Sequence, residues 1–133
     1  MNKKSRPFLG LGLLVVLTSC HAPSKSDSSV VPGEDAIHAT MDAWHQAASS
    51  ADSLTYFGTM ASQESIFLGT DETERWTTAE FKIWSRRFFQ RASAWTFIPV
   101  PGERHIAVRG DVAWLDEKLD SEHMGRCRGT GIL

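Results

Sequence analysis

Apolar residues follow two regimes along this chain. Up to about residue 92 they recur mainly at helical spacing, and beyond residue 95 they fall in short strand-like blocks between turn residues. Ile37, Met41, Trp44 and Ala48 form one stripe and predict a helix from about Glu34 to Ser50. Glu34 and Asp35 at its start suit the positive end of the helix dipole. Asp52 is a good N-cap for a second, shorter helix with Leu54, Tyr56, Phe57 and Met60 as its apolar positions. Glu64 to Thr70 reads as a strand around Ile66, Phe67 and Leu68. Thr77 and Glu80 then make a capping box, which predicts a helix over Thr78 to about Ala92 with Phe81, Trp84 and Phe88 on one face.

The remainder reads as β. Strands are expected over Trp95–Val100, Arg104–Arg109, Val112–Asp120 and Cys127–Leu133. Turns are expected at Pro101-Gly102, at Gly110-Asp111 and in a loop through Glu122, His123 and Gly125. Helices followed by a meandering antiparallel sheet define an α+β domain. In the third of these strands Val112, Trp114, Asp116 and Lys118 share one face, and Ala113, Leu115, Glu117 and Leu119 share the other. The second face is the more apolar. Glu117 is therefore an acid among hydrophobic residues, an arrangement that tends to raise a carboxyl pKa and to mark a site. The alternative is a shift of one residue in strand phase, which leaves Glu117 in water.

The first 33 residues do not fit this domain. Lys3, Lys4 and Arg6 precede an apolar run of ten residues, Phe8 to Leu17. A bilayer span needs about 20 residues, so the run fits the apolar core of an export signal. It ends in Leu17-Thr18-Ser19-Cys20, which looks like a bacterial lipobox. Residues 1–19 are thus expected to be a cleaved leader, with Cys20 lipidated and the mature protein anchored to a membrane of the cell envelope. An ordinary cleaved signal is the alternative. His21 after the cysteine implies, by the same resemblance, the outer membrane in a Gram-negative cell. The Ser/Pro-rich stretch up to Gly33 reads as a tether, which leaves 34–133 as one domain.

Charge and cysteine usage narrow the chemistry. Without residues 1–19 the chain has 11 basic and 16 acidic residues, and no basic stripe points to nucleic acid. With Cys20 lipidated, Cys127 has no intrachain partner, so no disulfide framework is expected. His105 and His123 lack the spacing of a metal motif, and no phosphate loop, nucleophile elbow or dinucleotide fingerprint occurs. No metal and no cofactor are assigned. His45, beside Trp44 on the first helix, borders the apolar stripe and is the obvious proton shuttle, or a helix-flank histidine with a satisfied hydrogen bond. Asp71, Glu72, Glu74 and Arg75 with Trp76 suit the rim of a pocket, or a solvated turn before a capped helix. Arg126 and Arg128 share a strand face and are placed to clamp a carboxylate or to pair with Asp116 or Glu117.

Four blocks resemble one family. They are Ala43-Trp44-His45, Phe67-Leu68-Gly69-Thr70-Asp71 running on to Glu74-Arg75-Trp76, Ala113-Trp114-Leu115-Asp116-Glu117, and Arg126-Cys127-Arg128-Gly129-Thr130-Gly131. Over about residues 36–133 the chain resembles the SnoaL-like branch of the NTF2-like superfamily. The resemblance implies two or three helices packed on a curved antiparallel sheet, forming a cone. It also implies a closing strand beyond Gly131, so the sheet is expected to lack its last strand at Leu133. The function implied is binding of a small, partly apolar molecule, with acid–base turnover of the isomerase, cyclase or dehydratase kind. In that reading Glu117 or Asp71 is the base and His45 the shuttle. Arg75 and Arg128 stabilise negative charge, and Trp76 and Trp114 contact the ligand. The competing expectation is a non-catalytic assembly module that dimerises through the sheet face.

Overall fold

The computed structural model describes residues 33–133. The expected leader, Cys20 and most of the expected tether lie outside these residues. Three helices, α1 (Glu34–Ser49), α2 (Ser53–Gly58) and α3 (Thr78–Ser85), combine with five strands: β1 (Ile66–Leu68), β2 (Arg75–Thr77), β3 (Ile98–Arg109), β4 (Val112–Ser121) and β5 (Gly125–Ile132). The architecture is α+β, with a β1–β2 hairpin and a separate antiparallel sheet in the order β3–β4–β5.

The helix starts follow local chemistry. Asp52 caps α2 by accepting from the Thr55 amide, and its carboxyl is held below the ordinary range first by the Thr55 side chain and then by that amide. Thr77 and Glu80 form the reciprocal capping box of α3. The end of α3 differs from expectation. It stops at Ser85 rather than near Ala92, because the chain tightens into i→i−3 bonds, Phe88 N–H to Ser85 O at 2.8 Å and Arg91 N–H to Phe88 O at 3.1 Å.

Two strands also differ. Arg75 to Thr77, read as part of a polar turn, pairs with Ile66 to Leu68. Side-chain-to-backbone bonds make that hairpin. Asp71 Oδ1 accepts from the Thr73 amide at 2.9 Å, and Glu74 accepts from the Thr70 amide at 3.0 Å. Pro101-Gly102 does not reverse the chain either. It lies in a wide irregularity within one long strand, between the pairs Pro99↔Leu119 and Arg104↔Glu117. Gly102 adopts φ 75°, which gives the bulge its kink without a side-chain penalty. Three strands therefore replace the expected four.

The core has two parts. Ile37 and Met41 of α1 pack on Ala113, Leu115, Ile106 and Val108, which fixes α1 against the sheet. Ala47 and Ala48 pack with Tyr56, Trp44, Phe57, Phe67, Phe81, Phe89 and Trp95, which ties α2, α3 and the hairpin to the end of α1. The segment after α3 docks there too, Ala94 N–H donating to the Ala48 carbonyl at 3.1 Å beside the Ala51 amide at 3.2 Å.

Candidate functional site

Strand alternation decides where the charged groups of β4 go. Ala113, Leu115, Glu117 and Leu119 all face inward and are buried. Glu117 is 1% exposed, and an isolated carboxylate at such a position is costly. Two partners offset that cost. His45 Nε2 lies 2.7 Å from Glu117 Oε1, and Arg104 Nε donates to Oε2 at 2.7 Å.

Each partner arrives by a different route. His45 continues the Ile37–Met41 row by one further turn of α1, so it is buried, 7% exposed, against the sheet. Arg104 is the residue of β3 directly opposite Glu117, in phase with Ile106 and Val108, and its side chain is 7% exposed. Its Nη1 also reaches Asp42 Oδ1 at 2.9 Å and the His38 carbonyl at 3.1 Å, both one turn of α1 apart. Arg104 Nη2 is buried without a partner among the described residues. Gly129 stands opposite Glu117 on β5 and leaves space for its side chain.

The electrostatics follow from these contacts. Burial alone would raise the Glu117 carboxyl, but the hydrogen bonds from His45 and Arg104 outweigh it and hold the group below the ordinary glutamate value. This corrects the expectation of a raised value: the acid is inward, as the alternation implies, but it is paired. As an ionised group Glu117 can only accept, so His45 Nε2–H donates to it. The lone pair of a neutral His45 ring is then on Nδ1, which makes no hydrogen bond among the described residues. His45 lines a groove of about 360 Å³ with Asp42, Gln46 and Ser49 of α1 and Phe97 and Ile98 opposite. A carboxylate-oriented imidazole beside a partly apolar groove is competent to accept or deliver a proton.

The other candidates lie elsewhere. Asp71 is exposed in the β1–β2 turn, and its bonds with the Thr73 side chain and amide hold its carboxyl low, which makes it a weak base. Nothing joins it to His45 or Glu117 among the described residues. Arg75 is exposed on β2, and Trp76 packs on Trp84 with ring centroids 5.5 Å apart. Trp114 is on the outward face of β4, 47% exposed, because strand alternation sends it opposite to Glu117. Arg128 is outward too and pairs with Asp116 at 2.6 Å, the cross-strand alternative named for it. Arg126 holds Asp120 in the same way. Cys127 is half-buried, its thiol 3.7 Å from the Leu119 carbonyl oxygen. Cys20 is outside the described residues.

Sequence reasoning missed Arg104. The signal was present: an arginine in phase with Ile106 and Val108 on one strand, and an acid in phase with Leu115 and Leu119 on the next. Two in-phase opposite charges on consecutive strands predict an inward pair once the register is known.

Among the described residues, no group of three or more His, Cys, Asp or Glu is placed to hold a metal ion. No described helix is long and apolar enough to cross a membrane, which says nothing of β-barrels. A family model described as a SnoaL-like domain matches residues 37–133. No curated protein and no solved structure gives a match.

Proposed function

Because this chain belongs to the SnoaL-like domain family, we propose that it binds a small, partly apolar molecule in the groove beside α1, and that His45 moves a proton there. The observation that carries this reading is the buried His45–Glu117 hydrogen bond at 2.7 Å, with Arg104 on the second carboxylate oxygen. Glu117 orients the ring, while the hydrogen bonds from His45 and Arg104 keep Glu117 ionised. Phe97 and Ile98 supply apolar contact, and Gln46 and Ser49 supply hydrogen bonds for a polar end of the ligand. The reaction class that suits one oriented imidazole is proton abstraction or return at carbon or oxygen, as in isomerases, cyclases and dehydratases.

Thermal melting of the protein against small carbonyl and aromatic metabolites tests binding, since a ligand of the folded state raises its stability by mass action. One ligand class should raise the melting temperature, and Phe97→Ala should weaken that effect. His45→Gln should lower turnover of that ligand by about 10²–10⁴-fold. A ligand shift and a turnover rate indifferent to both changes would exclude the groove as the working site.

The address is part of the proposal: residues 1–19 are a leader and Cys20 carries lipid that anchors the domain to a membrane. The basic start, the ten-residue apolar run and the Leu-Thr-Ser-Cys ending support it. Metabolic labelling with a palmitate analogue should mark the protein, and Cys20→Ser should abolish the label and release the protein from membranes. Label retained in Cys20→Ser would remove the anchor from this reading.

A second reading rests on the outward sheet face. Val112, Trp114 and Ile132 are exposed there, with Trp114 directly opposite Ile132. That apolar row favours a homodimer or a partner-covered module. Sedimentation of the protein decides it. A dimer broken by Trp114→Glu supports assembly, and a concentration-independent monomer rejects it.

A further inference from the structure

We propose a second ligand site, for a planar aromatic carboxylate, between the end of α3 and the turn joining β4 to β5. A cavity of about 490 Å³ opens there, within the size range of small-molecule sites. Of the residues lining it and the His45 groove, only Thr96 is common to both.

Three rings form its wall. Trp84 and Phe88 have centroids 5.0 Å apart, and Phe88 meets Trp95 edge-on at 6.2 Å. All three are half-buried, so each keeps surface for a further ring to stack on or meet edge-on. This apolar wall selects a flat aromatic body over a flexible polar one.

The charge comes from the turns that follow α3. Arg91 lines the cavity and lies 4.6 Å over the Phe88 ring, and Arg87 lies 4.8 Å from the same ring. Stacking fixes a guanidinium plane while leaving its N–H groups free to donate. Arg86, Arg87 and Arg91 form no ion pair among the described residues, although the chain has more acids than bases. This corner is therefore a local positive patch. An anion bound beside Phe88 meets an arginine that no carboxylate among the described residues already pairs with. Glu122 and His123 close the other side. The Glu122 carboxylate repels an anion there, which sets the orientation: ring against Trp84 and Trp95, carboxylate at Arg91.

Nitrogen–proton NMR of the tryptophan indoles, titrated with 2-naphthoate, tests the site. The signals of Trp84 and Trp95, identified with Trp84→Phe and Trp95→Phe, should shift and saturate, with a dissociation constant on the order of a millimolar for so small a ligand. Neutral 2-naphthamide and non-aromatic cyclohexanecarboxylate should each bind several-fold more weakly than naphthoate. Arg91→Gln should weaken naphthoate roughly fivefold, the scale of an exposed charge contact, and Glu122→Gln should strengthen it. His45→Gln should leave it unchanged, which separates this site from the groove beside α1. Equal binding of naphthoate and naphthamide, an Arg91→Gln variant indistinguishable from the parent, or shifts centred on Trp44 would each overturn the proposal.

Discussion

His45 Nε2 and Glu117 Oε1 lie 2.7 Å apart although 72 positions separate the two residues in the chain. One comes from the first helix and the other from the central strand of the sheet. The bond therefore pins helix to sheet as well as orienting the imidazole, and changes at either residue report on both roles.

Removing the charge of Glu117 should be severe. Glu117→Gln keeps the volume but leaves the buried Arg104 with only the exposed Asp42 carboxylate as its anion, and breaking a buried pair typically costs about 3–5 kcal/mol. Urea unfolding should show a midpoint lowered by that amount at unchanged slope. A loss below about 1 kcal/mol would mean that the cluster is wet and adds little.

The same pair admits a compensation test. Arg104→Met alone leaves Glu117 short of one partner, and Glu117→Leu alone leaves Arg104 without its buried carboxylate. The double variant removes both charges and should be more stable than the sum of the two losses implies, by roughly 2 kcal/mol. Strict additivity across the four unfolding curves would show that the two groups do not interact.

Acid should act through Glu117. Its folded carboxyl is held below the ordinary value of 4.5, so on acidification the unfolded chain takes the proton first. The stabilisation is complete above the unfolded value and is lost as the pH falls through the folded one. Melting temperature should thus be flat from neutrality to about pH 5 and fall below about pH 4.5. Asp52 and Glu80, whose carboxyls are also lowered at helix starts, fall away in the same direction. The Glu117 share is the difference between the parent and Glu117→Gln, whose acid-induced loss should be visibly smaller. Parallel curves for the two proteins would contradict this account.

Gly129 and Gly131 should behave differently. A Cβ at Gly129 would meet Leu119 Cδ1 at 3.1 Å and Glu117 Cγ at 3.4 Å, both on buried side chains, whereas at Gly131 its nearest neighbour is Leu115 Cγ at 3.8 Å. Gly129→Ala should destabilise by about 1 kcal/mol through overpacking. Gly131→Ala should be neutral or slightly stabilising, because it restricts the unfolded chain. Equal denaturation midpoints for the two variants would argue against the close packing around Glu117.

The start of α3 offers a local check. Thr77→Ala removes the hydroxyl that caps the Glu80 amide and should cost about 1 kcal/mol. Thr77→Ser should restore most of it. Amide exchange at Ala79 and Glu80 is the readout, and unchanged protection in Thr77→Ala would dismiss the cap as a contributor.

What the sequence determined by itself was local. Asp52, Thr77 and Glu80 announce helix starts because a cap needs only the next three residues. The Ile37–Met41–Trp44 stripe announces α1 because helical period is written in the chain. The inward set Ala113, Leu115, Glu117 and Leu119 is legible because strand period is two. The Asp71–Glu74 turn misled the reading for the same reason. Its carboxylates look available in sequence, but they bind amides of their own hairpin.

Tertiary structure alone decided the rest. Register between β3 and β4, unbroken from the turn at Gly110-Asp111, places Arg104 across from Glu117, and the irregularity at Pro101-Gly102 shifts the pairing only beyond that point. The docking of α1 on the sheet brings His45 to the same carboxylate. The His45 contact could not be read from spacing, because it joins residues 72 positions apart, and the Arg104 contact is legible only once the strand register is known. Their pairing also reversed the expected direction of the Glu117 pKa. Burial is a property of one strand and can be inferred from its alternation, whereas the hydrogen bonds that outweigh burial belong to three elements at once and exist only when these are packed together.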